Sequence, residues 1–295
     1  MNKPLNFLIY YETYGNPADP CIILITGLGG QLIQWSDLFI DGLVKQHLYV
    51  VTFDNRDSGL SQYYDHLGKP DFEEAIQAKK SGKKFNPPYT FNDIADDILI
   101  LMNQLSVQKA HILGSSMGGM IAQVFAIKYP ERLLSLMLIA TSSGDVHLPP
   151  PKPEVLQIIS SSSSTNTENM ESYVENKIKL FRLYDPYFFN EQKSRALFEK
   201  MYKRTFSSDG FKRQLLSFIG DKPRGDKLKN LNMKSLIIHG SDDAAFSIEH
   251  GKYLSEILRN SQLEIIEKMG HVISDELCNK IVYVITGFIK HADGN

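Results

Sequence analysis

Cysteine is scarce in this sequence: Cys21 and Cys278 are the only two in 295 residues. They lie far apart in unrelated contexts, with neither metal-ligand spacing nor the density of a secreted disulfide scaffold. Both read as buried thiols of a protein kept in a reducing compartment, which points to the cytoplasm. Long apolar runs are missing as well, since no segment reaches the ~18 consecutive apolar residues of a membrane span. The N-terminal stretch MNKPLNFLIYYETYG has no small-residue cleavage site and alternates like a strand rather than reading as a leader. An excess of either charge is also absent: 32 basic against 34 acidic residues leave a formal charge of -2. No global field recruits nucleic acid or an anionic membrane, so the expected partner is a small molecule.

What is present is enough apolar material, 42% of residues, to bury a large core in one domain carrying an insertion. Short runs recur along the chain: CIILIT from Cys21, LYVVTFD from Leu48, then AHILG, LSLMLIA, KSLIIHG and finally LEIIE. Each is too short for a helix and too continuously apolar for a half-exposed strand, so each reads as a strand covered on both faces. Between them, FNDIADDILILMNQL (Phe91 to Leu105) and GGMIAQVFAIKYP (Gly118 to Pro130) have helical spacing, with Pro130 as a stop. This alternation predicts an α/β fold with a doubly wound, mostly parallel sheet. The pattern breaks from HLPPPKPE to GDKPRGDKLKN, where helix-period sequence rich in aromatics replaces strands. The expected division is a core of residues 1–146 and 227–295 with a helical lid inserted at 147–226. Within it, the serine run from Ser160 to Thr165 reads as a loop leading into a helix N-cap.

The stretch HILGSSMGGM holds Gly114, Ser116 and Gly118 in the pattern G-x-S-x-G, placed between a predicted strand and a predicted helix. That setting is what a nucleophile elbow needs: the sharp turn strains the serine backbone and leaves no room for side chains at 114 or 118. The turn lifts the Ser116 hydroxyl above the carboxyl edge of the sheet. The Met117 amide then points outward at the positive end of a helix dipole, where an oxyanion could bind. Ser115 lacks the flanking glycines and reads as a turn residue. A serine needs a base and an orienting carboxylate, in the chain order Ser, acid, His for this topology. LIIHGSDD supplies Asp242 or Asp243 beyond a late strand, and KMGH supplies His271 in a glycine-containing loop after the last strand. Asp145 is a second candidate acid and His147 a second candidate base. His111 and His239 fall at strand positions and read as structural.

TGLGGQLIQW, VVTFDNRDSGLS, ILGSSMGGMIAQVFAIKYPERL, SLIIHGSDD and KMGH, in that order, resemble the α/β-hydrolase superfamily, and within it the lidded, esterase-like members. FDNRDSGLS and KMGH together are most similar to a subgroup that includes the anthracycline-type methyl esterases. The resemblance implies Asp243 as the acid, at the last position of H-G-x-x-D, and the Leu28 amide as the second oxyanion donor, with Gly29 as an alternative. It implies no metal or organic cofactor. The sequence departs from the family pattern at Thr26, where a histidine is usual, and at Asp57, where many relatives have glycine. Asp54 and Arg56 read as a structural ion pair or turn lock.

ILITGLGGQL followed by Asp54 imitates a dinucleotide-binding fingerprint, but position 32 is leucine where the third glycine belongs. The reading that results is a serine hydrolase cleaving a small, largely apolar carboxylic ester through Ser116, His271 and Asp243. Aromatics of the insertion, in LFRLYDPYFF (Leu180 to Phe189) and at Phe198, Tyr202, Phe206 and Phe218, are expected to favour apolar over charged substrates. Aminopeptidase, perhydrolase and carbon-carbon hydrolase reactions use the same three residues, and a slow-turnover ligand receptor would retain them.

Overall fold

A computed structural model describes residues 9–81, 85–164 and 169–292. Its seven strands are β1 (Tyr11–Tyr14), β2 (Cys21–Ile25), β3 (Tyr49–Phe53), β4 (Ala110–Ser115), β5 (Leu133–Ile139), β6 (Ser235–Gly240) and β7 (Ser261–Ile266). They form one sheet in the order β1-β3-β2-β4-β5-β6-β7. Every pair is parallel except β1 with β3. Residues 1–8, the start of the expected N-terminal strand, lie outside the described residues.

Continuous apolar runs make strands here because both faces are covered. In β2, Ile23 and Ile25 join one buried cluster while Ile22 and Leu24 join the other, as side-chain alternation requires. The first cluster is closed by helices α3 (Phe91–Gln104) and α4 (Met117–Lys128), and by α10 (Ile248–Ile257). The second is closed by α1 (Asp37–Val44) and α11 (Asp275–Ala292). The LEIIE strand differs from expectation, since β7 is an edge strand and is mostly half-buried.

The remaining helices are α2 (Phe72–Lys80) after β3, and α5 (Pro153–Ser164), α6 (Met170–Tyr184), α7 (Glu191–Arg204), α8 (Ser208–Ile219) and α9 (Gly225–Leu228), all between β5 and β6. The expected loop at Ser160 is corrected: Ser160 to Ser164 continue α5, and Asn169 caps α6 by accepting from the Ser172 amide. Thr165 lies outside the described residues. Serine's tendency to leave a helix is a weak preference, and it yields to the turns already propagating from Pro153. Ser115, expected in the turn, is the last residue of β4. No helix among the described residues is long and apolar enough to cross a membrane. Cys21 and Cys278 are buried and unpaired, and burial pushes the Cys21 thiol up to about 12.

Strand order reverses between β2 and β4: the chain runs outward from β2 to β3, then crosses back to place β4 on the other side. Ligand sites in open α/β sheets lie beyond the carboxyl ends of the strands at such a reversal. The loop after β2 and the turn after β4 meet there.

Candidate active site

Ser116 occupies that turn with φ 55° and ψ -123°, a left-handed conformation that costs energy for any residue with a side chain. Two neighbours allow it. A Cβ at Gly114 would lie 2.1 Å from the Gly118 carbonyl oxygen, and one at Gly118 would lie 2.2 Å from the Ile25 carbonyl oxygen. The turn is held at both backbone polar groups: the Ser116 amide donates to the Ile139 carbonyl at 3.0 Å, and the Thr141 hydroxyl donates to the Ser116 carbonyl at 2.6 Å.

The Oγ of Ser116 stands 2.9 Å from Nε2 of His271. His271 follows β7 in the loop predicted for it, and its amide donates to the Tyr184 carbonyl at 2.7 Å, so α6 helps fix the loop. On the other side of the ring, Nδ1 lies 2.9 Å and 3.0 Å from the two carboxylate oxygens of Asp243. The Tyr184 and Phe246 rings flank the imidazole at 4.5 and 5.6 Å between centroids.

Asp243 is buried, and its Oδ1 also accepts the Ala245 and Phe246 amides at 2.7 and 2.9 Å. Burial alone would raise the carboxyl pKa. Attraction to His271 and its hydrogen bond, then His239 and the Phe246 amide, outweigh burial, so the group is held below the ordinary aspartate value. His239 is the neighbour sequence reasoning placed only as structural. Its Nε2 lies 2.8 Å from the Phe246 carbonyl and 3.6 Å from Asp243 Oδ2. Burial lowers its pKa, against the pull of the Asp243 carboxylate.

The other candidates are engaged elsewhere. Asp242 is partly exposed and accepts from Ser241 Oγ at 2.6 Å and from the Tyr187 hydroxyl at 3.3 Å. Asp145 accepts the Gly225 amide at 3.1 Å, at the start of α9. His147 packs edge-on against Tyr253, 4.6 Å between centroids. His111 stands 2.8 Å from the Ser135 hydroxyl within the sheet.

The loop after β2 brings Gly27 against the serine, where a Cβ would lie 3.2 Å from Ser116 Cβ. Of the amides beyond it, Gly29 donates to Oε1 of Gln214 at 2.9 Å. Among the described residues, neither the Leu28 nor the Met117 amide is bonded to a protein acceptor. At the departure position, Thr26 receives Asn55 Nδ2 on both its carbonyl and its hydroxyl, each at 3.3 Å. Of the two expectations for Asp54 and Arg56, an ion pair or a turn lock, the ion pair between them is corrected. Asp54 accepts the Leu32 and Leu60 amides at 2.8 Å each and pairs with Arg204 at 2.6 Å. Arg56 pairs with Asp97 at 2.6 Å. Asp57, the other departure, is buried against Arg213 at 2.7 Å. Successive side chains leave the loop in different directions, and their partners arrive from α3, α7 and α8, which no local pattern announces.

Ser116 and His271 open into a cavity of about 380 Å³. Leu28, Tyr173, Phe181, Tyr184, Phe206 and Phe211 contribute to its wall, most of them from the helices between β5 and β6. Of the aromatics singled out in the sequence, Phe188, Phe189 and Phe198 also face it. Tyr202 stacks on Phe206, while Phe218 packs against the core. No group of three or more His, Cys, Asp or Glu side chains among the described residues could hold a metal ion.

The family described as alpha/beta hydrolase fold matches residues 20–276. That span covers most of the sequence: the chain belongs to this family and is a hydrolase. Rhodomycin D methylesterase of Streptomyces sp. (strain C5) is 26% identical over 288 residues, 90% of this chain and 89% of that protein. A 2-hydroxy-6-oxononadienedioate/2-hydroxy-6-oxononatrienedioate hydrolase of Pseudomonas sp is 23% identical over 289 residues, covering 97% of this chain and 93% of its own. Among solved structures, one from work on carboxylesterases of the thaumarchaeon Nitrososphaera gargenis has a TM-score of 0.73 at 21% identity, covering 99% of this chain and 98% of its own. At that identity it shares the fold.

Proposed function

We propose that this protein is a serine esterase that cleaves a small carboxylic ester by acyl transfer. The observation carrying this reading is the continuous set Ser116 Oγ, His271 Nε2 and Nδ1, and Asp243, at 2.9 Å per step, opening into an aromatic cavity. Asp243 accepts a hydrogen bond from Nδ1–H, which keeps its proton, and so leaves Nε2 free to take the proton of Ser116. The serine oxygen attacks the ester carbonyl, and the Leu28 and Met117 amides bind the oxygen that becomes negative. His271 returns the proton to the departing alcohol. Water then gives a proton to the same histidine and attacks the acyl carbonyl carbon; the carbon–Oγ bond breaks, His271 returns the proton to Ser116 Oγ, and the acid leaves. The inserted helices act as the lid that excludes bulk water and presents apolar side chains. The two unpaired thiols support a reducing compartment, the cytoplasm.

Two lines support an ester over other acyl donors: the FDNRDSGLS and KMGH stretches, and the similarity to rhodomycin D methylesterase across nine-tenths of the chain. The similarity to the oxononadienedioate hydrolase favours carbon-carbon bond cleavage as the second reading. A fluorophosphonate probe tests the machinery, because only an activated serine reacts quickly. One adduct on Ser116, absent in Ser116→Ala, is the expected result; an adduct mapping elsewhere, or none on folded protein, overturns the assignment. Turnover of aryl and methyl esters beside a vinylogous 1,5-diketone separates the two readings.

A further inference from the structure

Lys177 lies on α6 and reaches into the same cavity as Ser116 and His271. A Cβ built on Gly29 would be 3.8 Å from its Nζ, so the ammonium hangs beside the loop that carries the Leu28 amide. Its other close neighbour is an aromatic face, the Tyr173 ring, 5.9 Å from Nζ to centroid. Among the described residues it makes no ion pair and no hydrogen bond.

The other cations around this cavity are matched. Lys193, which also lines it, pairs with Asp275, and beyond the lining Arg204 pairs with Asp54 and Arg213 with Asp57. Of the carboxylates that line the cavity, Asp57 and Asp275 have those partners, Asp185 accepts the Phe188 amide and Glu276 stands free of any ion pair among the described residues, and none of them forms an ion pair with Lys177. Burial draws the Lys177 ammonium down to about 8, which still leaves it cationic at neutral pH. Lys177 is half-buried, and an unpaired charge withdrawn from water carries a cost unless something supplies its counter-ion. An apolar wall at this position would have held an apolar ligand without that cost.

We propose that the substrate is an ester with an apolar body and one carboxylate remote from the scissile bond, and that Lys177 binds that carboxylate by a charge-assisted hydrogen bond. This rests on the esterase reading and narrows the expected preference for apolar over charged substrates: the body is apolar, and one negative group is favoured. Lys177 is here a specificity residue. Because it stands beside the oxyanion loop, the competing role is stabilisation of the oxyanion of every ester alike.

Two matched pairs of esters separate these roles. 4-Nitrophenyl pentanoate and 4-nitrophenyl hemiglutarate differ by a carboxylate at the end of the acyl chain. Phenyl butyrate and 4-(carboxymethyl)phenyl butyrate carry the difference on the alcohol side. In at least one pair, the anionic-to-neutral ratio of kcat/KM should fall tenfold or more in Lys177→Met and be retained in Lys177→Arg, with both variants shown folded by thermal melts. A ratio unchanged in both pairs, including an equal loss on neutral and anionic esters, overturns the proposal. If the wild-type protein cleaves none of the four esters, the esterase reading fails, and calorimetry on Ser116→Ala then decides. 4-Phenylbutyrate should bind at least tenfold more weakly when Lys177→Met is added, with 4-phenylbutanol as the neutral control. Equal affinity for 4-phenylbutyrate in the two proteins overturns it.

Discussion

The amide of Gly29 donates to Oε1 of Gln214 at 2.9 Å, and Nε2 of Gln214 donates to the Arg56 carbonyl at 2.6 Å. One buried side chain on α8 thereby ties together the loops that follow β2 and β3. It also occupies the Gly29 amide, the alternative to the Leu28 amide proposed as oxyanion donor. Gln214→Leu removes both bonds. An unfolding free energy lower by about 1–3 kcal/mol is expected. Ester turnover should fall about tenfold in kcat with KM little changed, since the loop loses its orientation rather than its donor. Urea denaturation beside steady-state kinetics measures both; a variant with unaltered kcat shows that the loop does not need Gln214.

Asp243 and Asp242 are adjacent, yet only Asp243 reaches His271. Asp243→Asn should reduce ester turnover by about 10⁴, as in the serine-protease template, a loss of about 5 kcal/mol of transition-state stabilisation. Asp242→Asn should stay within about tenfold of the parent. The opposite ranking in kcat/KM would make Asp242 the acid.

The lowered pKa of Asp243 has a signed consequence for stability. A carboxyl held below its unfolded value, about 3.9, contributes stability that is present above that value and lost as pH falls through the folded one. Unfolding free energies measured between pH 5 and pH 3 should therefore fall less steeply in Asp243→Asn than in the parent. Parallel curves count against an ionised Asp243 in the folded protein.

Gly114 and Gly287 are both glycines, in opposite situations. A Cβ at Gly114 meets the Gly118 carbonyl oxygen at 2.1 Å, whereas one at Gly287 in α11 meets nothing within 4 Å. Gly114→Ala should abolish soluble folded protein or cut its melting temperature sharply. Gly287→Ala should raise stability by about 0.5–1 kcal/mol, the helix-propensity difference. Calorimetric melts of the two variants compare them directly.

Arg213 and Asp57 form an ion pair with side chains 1% and 0% exposed, linking α8 to the loop after β3. Arg213→Met strands the carboxylate and should cost about 3–5 kcal/mol. Adding Asp57→Leu should return part of that loss, because it removes the uncompensated charge. A double variant less stable than Arg213→Met in denaturant titration argues against stranded charge as the cause.

The sheet, its crossover helices and the elbow at Ser116 were legible in the sequence because each is written in a local period or a short steric rule. Apolar runs of strand length, helical spacing after Gly118 and glycines at 114 and 118 all act within a few residues of one another. His271 was put forward by chain order, and Asp243 was preferred to Asp242 by likeness to a family, not by any local physical signal. The helix that absorbs Ser160 to Ser164, the partners of Asp54 and Arg56, the grip of Gln214 on Gly29 and the entry of Lys177 into the cavity had no such signature. Gln214 lies 185 residues from Gly29, and Arg204 lies 150 from Asp54. Local sequence determines which segments become strands and helices, since backbone hydrogen bonding and side-chain alternation are settled between near neighbours. Which loop side chain meets which helix is decided only when the helices pack over the loops at the sheet's edge, because burial of each polar group then selects its partner from across the chain.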